Sequence, residues 1–249
     1  MIDLIRAELL RIRTTRLAMW MALGTAAGVV LTVGAAISTA GRDGLPGLDT
    51  TEGVRNVLNG ATAATTAALI FGIVALTGEF RHRTAATTFL VTPDRRRVVA
   101  AKIAATGLAG LVYSLGAAVL TLTIAIPWMA AKQADLTLFS DDVGVVLGGA
   151  VIATILYAAI GVGIGALVRN QTQAVIIALV WSAIVEGVLV TMLPDVGRWL
   201  PGGAANALTA STTAEGALLP VLAGGLLLAA YTAVIAVAGT RVTVRRDVP

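Results

Sequence analysis

The chain of 249 residues has no cysteine and a single histidine, His82. These scarcities exclude a disulfide framework, a thiolate zinc site, a thiol nucleophile and any centre that needs two imidazoles. Charge is scarce too: 13% of residues are Asp, Glu, Lys or Arg, against roughly 25% in a soluble domain. With 57% hydrophobic residues and a mean hydropathy of +0.88, the polar coat of a soluble globular protein is missing. No phosphate-cradling GxxxxGK[ST] segment occurs, and no GxSxG, HExxH or paired-carboxylate site in a polar segment. Gly161, Gly163 and Gly165 sit inside an apolar run with no strand before them and read as helix packing. The chain therefore has no catalytic apparatus, metal site or cofactor site of its own.

What it has is long apolar runs. A bilayer core of about 30 Å needs roughly 20 apolar residues per helix, and six runs qualify: residues 17–40, 57–78, 103–129, 143–168, 172–193 and 217–239. They do not alternate, which excludes barrel strands. The expected fold is all-α, a single polytopic membrane domain over 1–249. The first run is far longer than the core of a secretory signal and is read as an uncleaved helix. Gly24/Gly28, Gly144/Gly148 and Gly161/Gly165 have the GxxxG spacing that lets helices approach closely.

Orientation follows from the loops, because basic residues are retained on the cytoplasmic side. The N-terminal stretch holds four Lys or Arg, residues 79–102 hold six, the 169–171 turn holds Arg169 and the tail holds three; these are 14 of the 18. The opposite loops have Arg42, Arg55, Lys132 and Arg198. Both termini are thus expected in the cytoplasm, and the pI near 10.1 is a topology signal rather than a nucleic-acid footprint. Sixteen arginines against two lysines, with abundant alanine, is the composition of a GC-rich bacterial genome, and the expected location is a bacterial plasma (inner) membrane.

Residues 79–102 are the most polar part of the chain. Glu79 to Leu90 can form about three helical turns with Phe80, Thr84, Thr87, Thr88 and Val91 along one side and Arg81, His82 and Arg83 exposed. Pro93 ends this helix, and Asp94 to Arg97 begins the third span. A positive-inside anchor accounts for Arg95 to Arg97; it does not account for Phe80 and Phe89 outside the bilayer, since exposed aromatics want a partner surface. His82 reads either as a solvated surface histidine or as a pH tuner of docking.

The order Glu79-Phe80-Arg81-x-x-Thr84, a threonine-rich turn, Thr92-Pro93-x-x-Arg96-Arg97 and Lys102 resembles the intracellular loop of type 2 permeases of ATP-binding-cassette exporters. The resemblance extends in outline to the whole chain. It implies that residues 79–92 form a coupling helix, with Glu79, Phe80, Arg81, His82, Arg83, Thr84, Thr87, Phe89 and Pro93 meeting a separate ATPase subunit. ATP and Mg belong to that partner. It also implies that residues 1–16 form an amphipathic elbow helix, with Ile2, Ile5, Leu9 and Ile12 among Arg6, Glu8, Arg11 and Arg13; a simple membrane anchor is the other reading. A second permease copy or a sister permease completes the pathway, formed largely by spans two and five.

The polar residues of those spans are the candidates for that pathway: Asn56, Asn59, Thr62, Thr65 and Thr66 on span two, and Trp181, Glu186 and Met192 on span five. Glu186 is the one ionisable residue placed inside the membrane, where a charge costs at least about 2.5 kcal/mol. It reads as a gating or substrate-contacting acid, or as a structural acid bonded near Arg198 or the backbone of Gly202 and Gly203. Residues 194–216 read as an outer re-entrant segment in which Arg198, Trp199 and Pro201 form a lid, or as an aromatic anchor.

The resulting function is the permease subunit of an exporter moving a hydrophobic or amphiphilic substrate such as a drug, lipid or peptide antibiotic, in the manner of multidrug efflux. The lipid bilayer, the ATPase subunit and the second permease are the expected partners, with no nucleic acid. The competing readings are a non-transporting scaffold or sensory subunit, and an ion-coupled secondary transporter, against which the lack of midplane ligands and paired broken helices speaks.

Overall fold

The computed structural model describes residues 1–42, 44–81, 94–132, 141–210 and 218–245. Every regular element among them is a helix: α1 (Ile2–Thr14), α2 (Arg16–Thr39), α3 (Thr51–Arg81), α4 (Arg95–Ala131), α5 (Asp141–Val168), α6 (Gln171–Met192), α7 (Pro194–Gly197), α8 (Pro201–Leu208) and α9 (Val221–Arg245). Six of these, α2 to α6 and α9, are long and apolar enough to cross a bilayer. The fold is all-α and polytopic.

Caps, rather than hydropathy, set the ends, and two helices accordingly start earlier than their apolar runs. Thr50 accepts a hydrogen bond from the backbone of Gly53, 3.1 Å, so α3 begins in the polar stretch before Val57. Asp94 accepts from the amides of Arg96 and Arg97, so α4 starts at the arginine cluster. At 37 residues and 1.5 Å per residue, α4 spans about 55 Å, well beyond the apolar core. Between α1 and α2 the chain turns at Thr15, whose extended backbone breaks the helix. The hydroxyls of Thr14 and Thr15 donate back to Leu10 and Ile12 carbonyls, satisfying acceptors that the helix end leaves open. The last span starts at Val221, after Pro220, and runs to Arg245.

Helices α3 and α5 form the centre, with α4 and α9 packed on α5, and α2 leaning on α3 and α4. Buried Thr25, Val29, Val33 and Ile37 follow each other at four-residue steps, so α2 buries one narrow stripe and leaves the rest of its apolar surface outward. Helix α6 buries only Ala174, Ala178 and Glu186.

The central crossing depends on backbone approach. A Cβ at Gly161 would run into the carbonyl of Leu69, one at Gly72 into the carbonyl of Ala158, and one at Gly165 would lie 2.9 Å from the carbonyl of Ile73. Of the three glycine pairs with four-residue spacing, Gly161/Gly165 thus marks a tight crossing. Gly144 and Gly148 face open space, and the close contact at that end of α5 is made by Gly149 against Leu208 of α8. Spacing identifies a groove, whereas only the neighbour decides whether it is filled. Gly161→Val is expected to destabilise the fold by about 1–3 kcal/mol through overpacking, whereas Gly144→Ala leaves stability unchanged or raises it by up to about 1 kcal/mol. Unfolding midpoints of the two variants in detergent test the contrast.

Candidate functional site

At the end of the bundle that carries the basic termini, Lys102 on α4 has no exposed surface. Its ammonium lies 2.6 Å from a carboxylate oxygen of Glu8 on α1 and 2.7 Å from Glu79 on α3. The Arg11 guanidinium donates to the same Glu79 oxygen at 3.0 Å. Two acids and two bases from three helices thus neutralise one another around the buried Lys102 and Glu79, with Arg11 partly exposed at the edge, and such pairing is the condition under which a buried charge is tolerable. Lys102 and Glu79 cannot turn to solvent, so the ends of α3 and α4 are fixed to each other and to α1.

The first three residues of the expected coupling helix belong to the last turn of α3. Glu79 faces the interior, as described. Phe80 packs on the cluster of Leu76, Val99, Val162 and Ala166, with the Arg169 guanidinium 5.0 Å from its ring centroid. Arg81 is exposed and donates to Gln171 at 3.5 Å. His82, Arg83, Thr84, Thr87, Phe89 and Pro93 lie outside the described residues. Beside the ion cluster, a cavity of about 380 Å³ is lined by Arg11, Arg81, Gln171, Ile12, Phe71 and Val74 among others.

The second site lies at the other end of α3. Residues Val180–Val185 of α6 form a π-helical turn, hydrogen-bonded i→i+5, and this wider turn brings Trp181 and Glu186, five apart, onto one side. The indole N–H of Trp181 donates to Glu186 at 2.6 Å. The backbone N–H of Gly202 also donates to this carboxyl. Helix α8 begins after Leu200, which has no capping side chain, with Pro201 in its first turn; Glu186 supplies the missing acceptor from across the fold, at the end where the helix dipole favours negative charge. Gly202 leaves the space, because a Cβ there would overlap the carboxyl oxygen.

Between α3, α5, α6 and α8 this geometry encloses a cavity of about 220 Å³ lined by Thr62, Thr65, Thr66, Tyr157, Glu186 and Asn206, with Thr209 and Ser182 beside them. Four of the residues expected on a pathway, Thr62, Thr65, Thr66 and Glu186, are thus brought together. Asn59 is buried one turn away, its amide without a hydrogen-bond partner among the described residues, at the 3₁₀ turn Asn59–Thr62. Asn56 and Met192 are not among the lining residues, and Met192 is exposed. Trp181 contributes its N–H while half its surface remains outside. Arg198 lies over the Trp199 ring at 5.9 Å and pairs with Asp195 at 3.4 Å. Tyr231 of α9 donates to the Trp199 carbonyl at 3.0 Å, and Pro201 starts α8.

Tyr157, Asn206 and Thr209 were not legible as site residues. Tyr157 lies within an apolar run and the other two in a segment without periodicity; a polar residue in an otherwise apolar span was the only available signal. Lys102 was visible as a motif position but not as the centre of an ion cluster, since Glu8 is 94 residues away.

Removing Lys102 leaves two acids short of a buried partner, so Lys102→Met is expected to lower stability by about 3–5 kcal/mol, far more than Arg11→Ala at its partly exposed site. In the Lys102→Met background, Glu79→Gln should cost much less than in wild type. A double-mutant cycle on thermal unfolding checks this coupling.

Comparison with curated proteins gives no match. Residues 4–185 match the family described as ABC-2 family transporter protein, a stretch that includes the α1 arm, the ion cluster and the π turn. Most of the chain is covered by this match, and the protein belongs to the ABC-2 transporter permease family, the membrane subunits of ATP-binding-cassette transporters whose ATPase is a separate part.

Proposed function

We propose that the protein is the permease of an exporter that moves a hydrophobic or amphiphilic substrate out of a bacterial cell, with both termini cytoplasmic and ATP and Mg bound by the ATPase subunit. The observation that supports it best is the ion cluster of Lys102, Glu79, Glu8 and Arg11 at the base of the 82–93 segment. A coupling segment transmits force only if its two stems move as one body. Here those stems, the ends of α3 and α4, are bound to each other and to α1 by contacts of 2.6 to 3.0 Å. Docking of Phe89, Arg83 and their neighbours on the ATPase would then displace α3 as a unit, and α3 lines both cavities.

A second copy of the chain, or a sister permease, covers the outward face of α6. Ile176, Ile177, Val180, Trp181, Ile184 and Val188 are exposed there, and a single bundle of six spans encloses only small cavities. Arg198, Trp199 and Pro201, at the junction of α7 and α8, close the pathway on the outer side.

Purification of the tagged protein in mild detergent is expected to bring a stoichiometric ATPase with it, and inverted vesicles should accumulate a lipophilic dye on adding ATP. Phe89→Ala should reduce ATPase association or dye accumulation about tenfold, the scale of one aromatic contact at an interface, without lowering the unfolding midpoint. A preparation without any ATPase would favour the scaffold or secondary-transporter reading, and a dye flux indifferent to ATP the secondary transporter.

A further inference from the structure

The cavity between α3, α5, α6 and α8 has a chemistry more specific than its polarity. Three of its four threonines have already used their hydrogens: Thr62 donates to the Asn59 carbonyl at 2.7 Å, Thr65 to the Thr62 carbonyl at 2.6 Å, and Thr209 to the Ala205 carbonyl at 3.2 Å. A hydroxyl that donates to its own helix presents only lone pairs elsewhere. Glu186 adds two further acceptor oxygens and is 4% exposed. Among the described residues no basic side chain lines the cavity, and Arg198, on the neighbouring turn, is engaged by Asp195. Beside the donors of Tyr157 and Asn206, the described lining is thus rich in acceptors, with Glu186 as its acid and no cation to match it.

An anionic ligand would be repelled here, and an apolar one would leave the acceptors desolvated. A primary ammonium brings three N–H donors and the missing positive charge. A bound ammonium at contact distance offsets the cost of burying the Glu186 carboxylate. The volume, about 220 Å³, is below the roughly 300–1,000 Å³ of a site for a whole drug-sized molecule, so it suits a head group whose apolar remainder lies outside.

We infer that this cavity binds the protonated amino group of a cationic amphiphile, with Glu186 as counter-ion and the Thr62, Thr65 and Thr209 oxygens as acceptors. The inference rests on the transporter reading and narrows its substrate class to amines. It is tested on the full-length protein in detergent by fluorescence titration with a dansyl-tagged long-chain primary amine and the dansyl-tagged alcohol of equal length. Wild type should bind the amine about tenfold or more tightly than the alcohol. Glu186→Gln keeps an acceptor oxygen for one of the two donors, Trp181 or Gly202, while removing the charge. It should abolish the preference by weakening amine binding alone. Thr65→Val, which removes one acceptor away from the α8 cap, should weaken amine binding several-fold with alcohol binding unchanged, and serves as the readout should Glu186→Gln fail to fold.

Equal affinities in wild type, or a preference that survives in Glu186→Gln or is untouched in Thr65→Val, would overturn the inference. Binding is read without the ATPase, so such a result leaves the transporter reading standing. Loss of that reading would appear instead as no ATP-driven movement of either probe in vesicles of the assembled complex, with the binding preference intact.

Discussion

A lysine with no exposed surface in a chain this poor in charge needs compensation from several directions, and the arrangement at the basic end follows from that need. Burying the ammonium of Lys102 costs several kcal/mol after relaxation, which is offset only when acids meet it at contact distance. Glu79 comes from one stem of the intervening segment and Glu8 from the N-terminal arm, and Arg11 then balances the second acid. Helix α1 buries no residue completely, and these polar contacts join it to the bundle together with the partly buried Leu4, Ile5, Leu9 and Ile12. The N-terminal arm, the end of α3 and the start of α4 consequently form one unit.

From that unit, α3 itself runs on to the cavity at its far end. The helix is pressed against α5 at Gly72, Gly161 and Gly165, where backbone meets backbone. Packed backbones have few soft degrees of freedom, so α3 and α5 shift together or separate; they do not bend past one another. The 3₁₀ turn at Asn59–Thr62 and the π turn at Val180–Val185 are the departures from regular helix beside the upper cavity. Each alters the number of residues per turn locally and so re-aims the side chains that line it.

Glu186 serves two purposes through one geometry. As acceptor for the Gly202 amide it anchors α8, and through α8 the turn of Trp199 that Tyr231 holds from α9. As a lining residue it is the cavity's only acid among the described residues. A ligand that altered the charge balance at Glu186 would therefore act on the same group that anchors α8.

Much of this protein was determined by local sequence. Runs of about 20 apolar residues dictate spanning helices because no unpaired backbone is tolerated in hydrocarbon, and the uneven distribution of arginine is what the expected orientation rests on. The 79–102 motif carried the family in its residues. The threonines of span two and Glu186 stood out because polar groups in an apolar span require a reason. Tertiary structure decided the rest. Lys102 finds Glu8 only once distant helices are packed, Gly161 becomes a contact while Gly144 does not, and Tyr157 becomes polar lining only because α5 turns that side towards α6. The cap of α8 by Glu186 passes through a π turn that no hydropathy pattern encodes. Partners separated by tens of residues are set by how helices cross, and crossing is settled by the fit of whole surfaces rather than by any one segment.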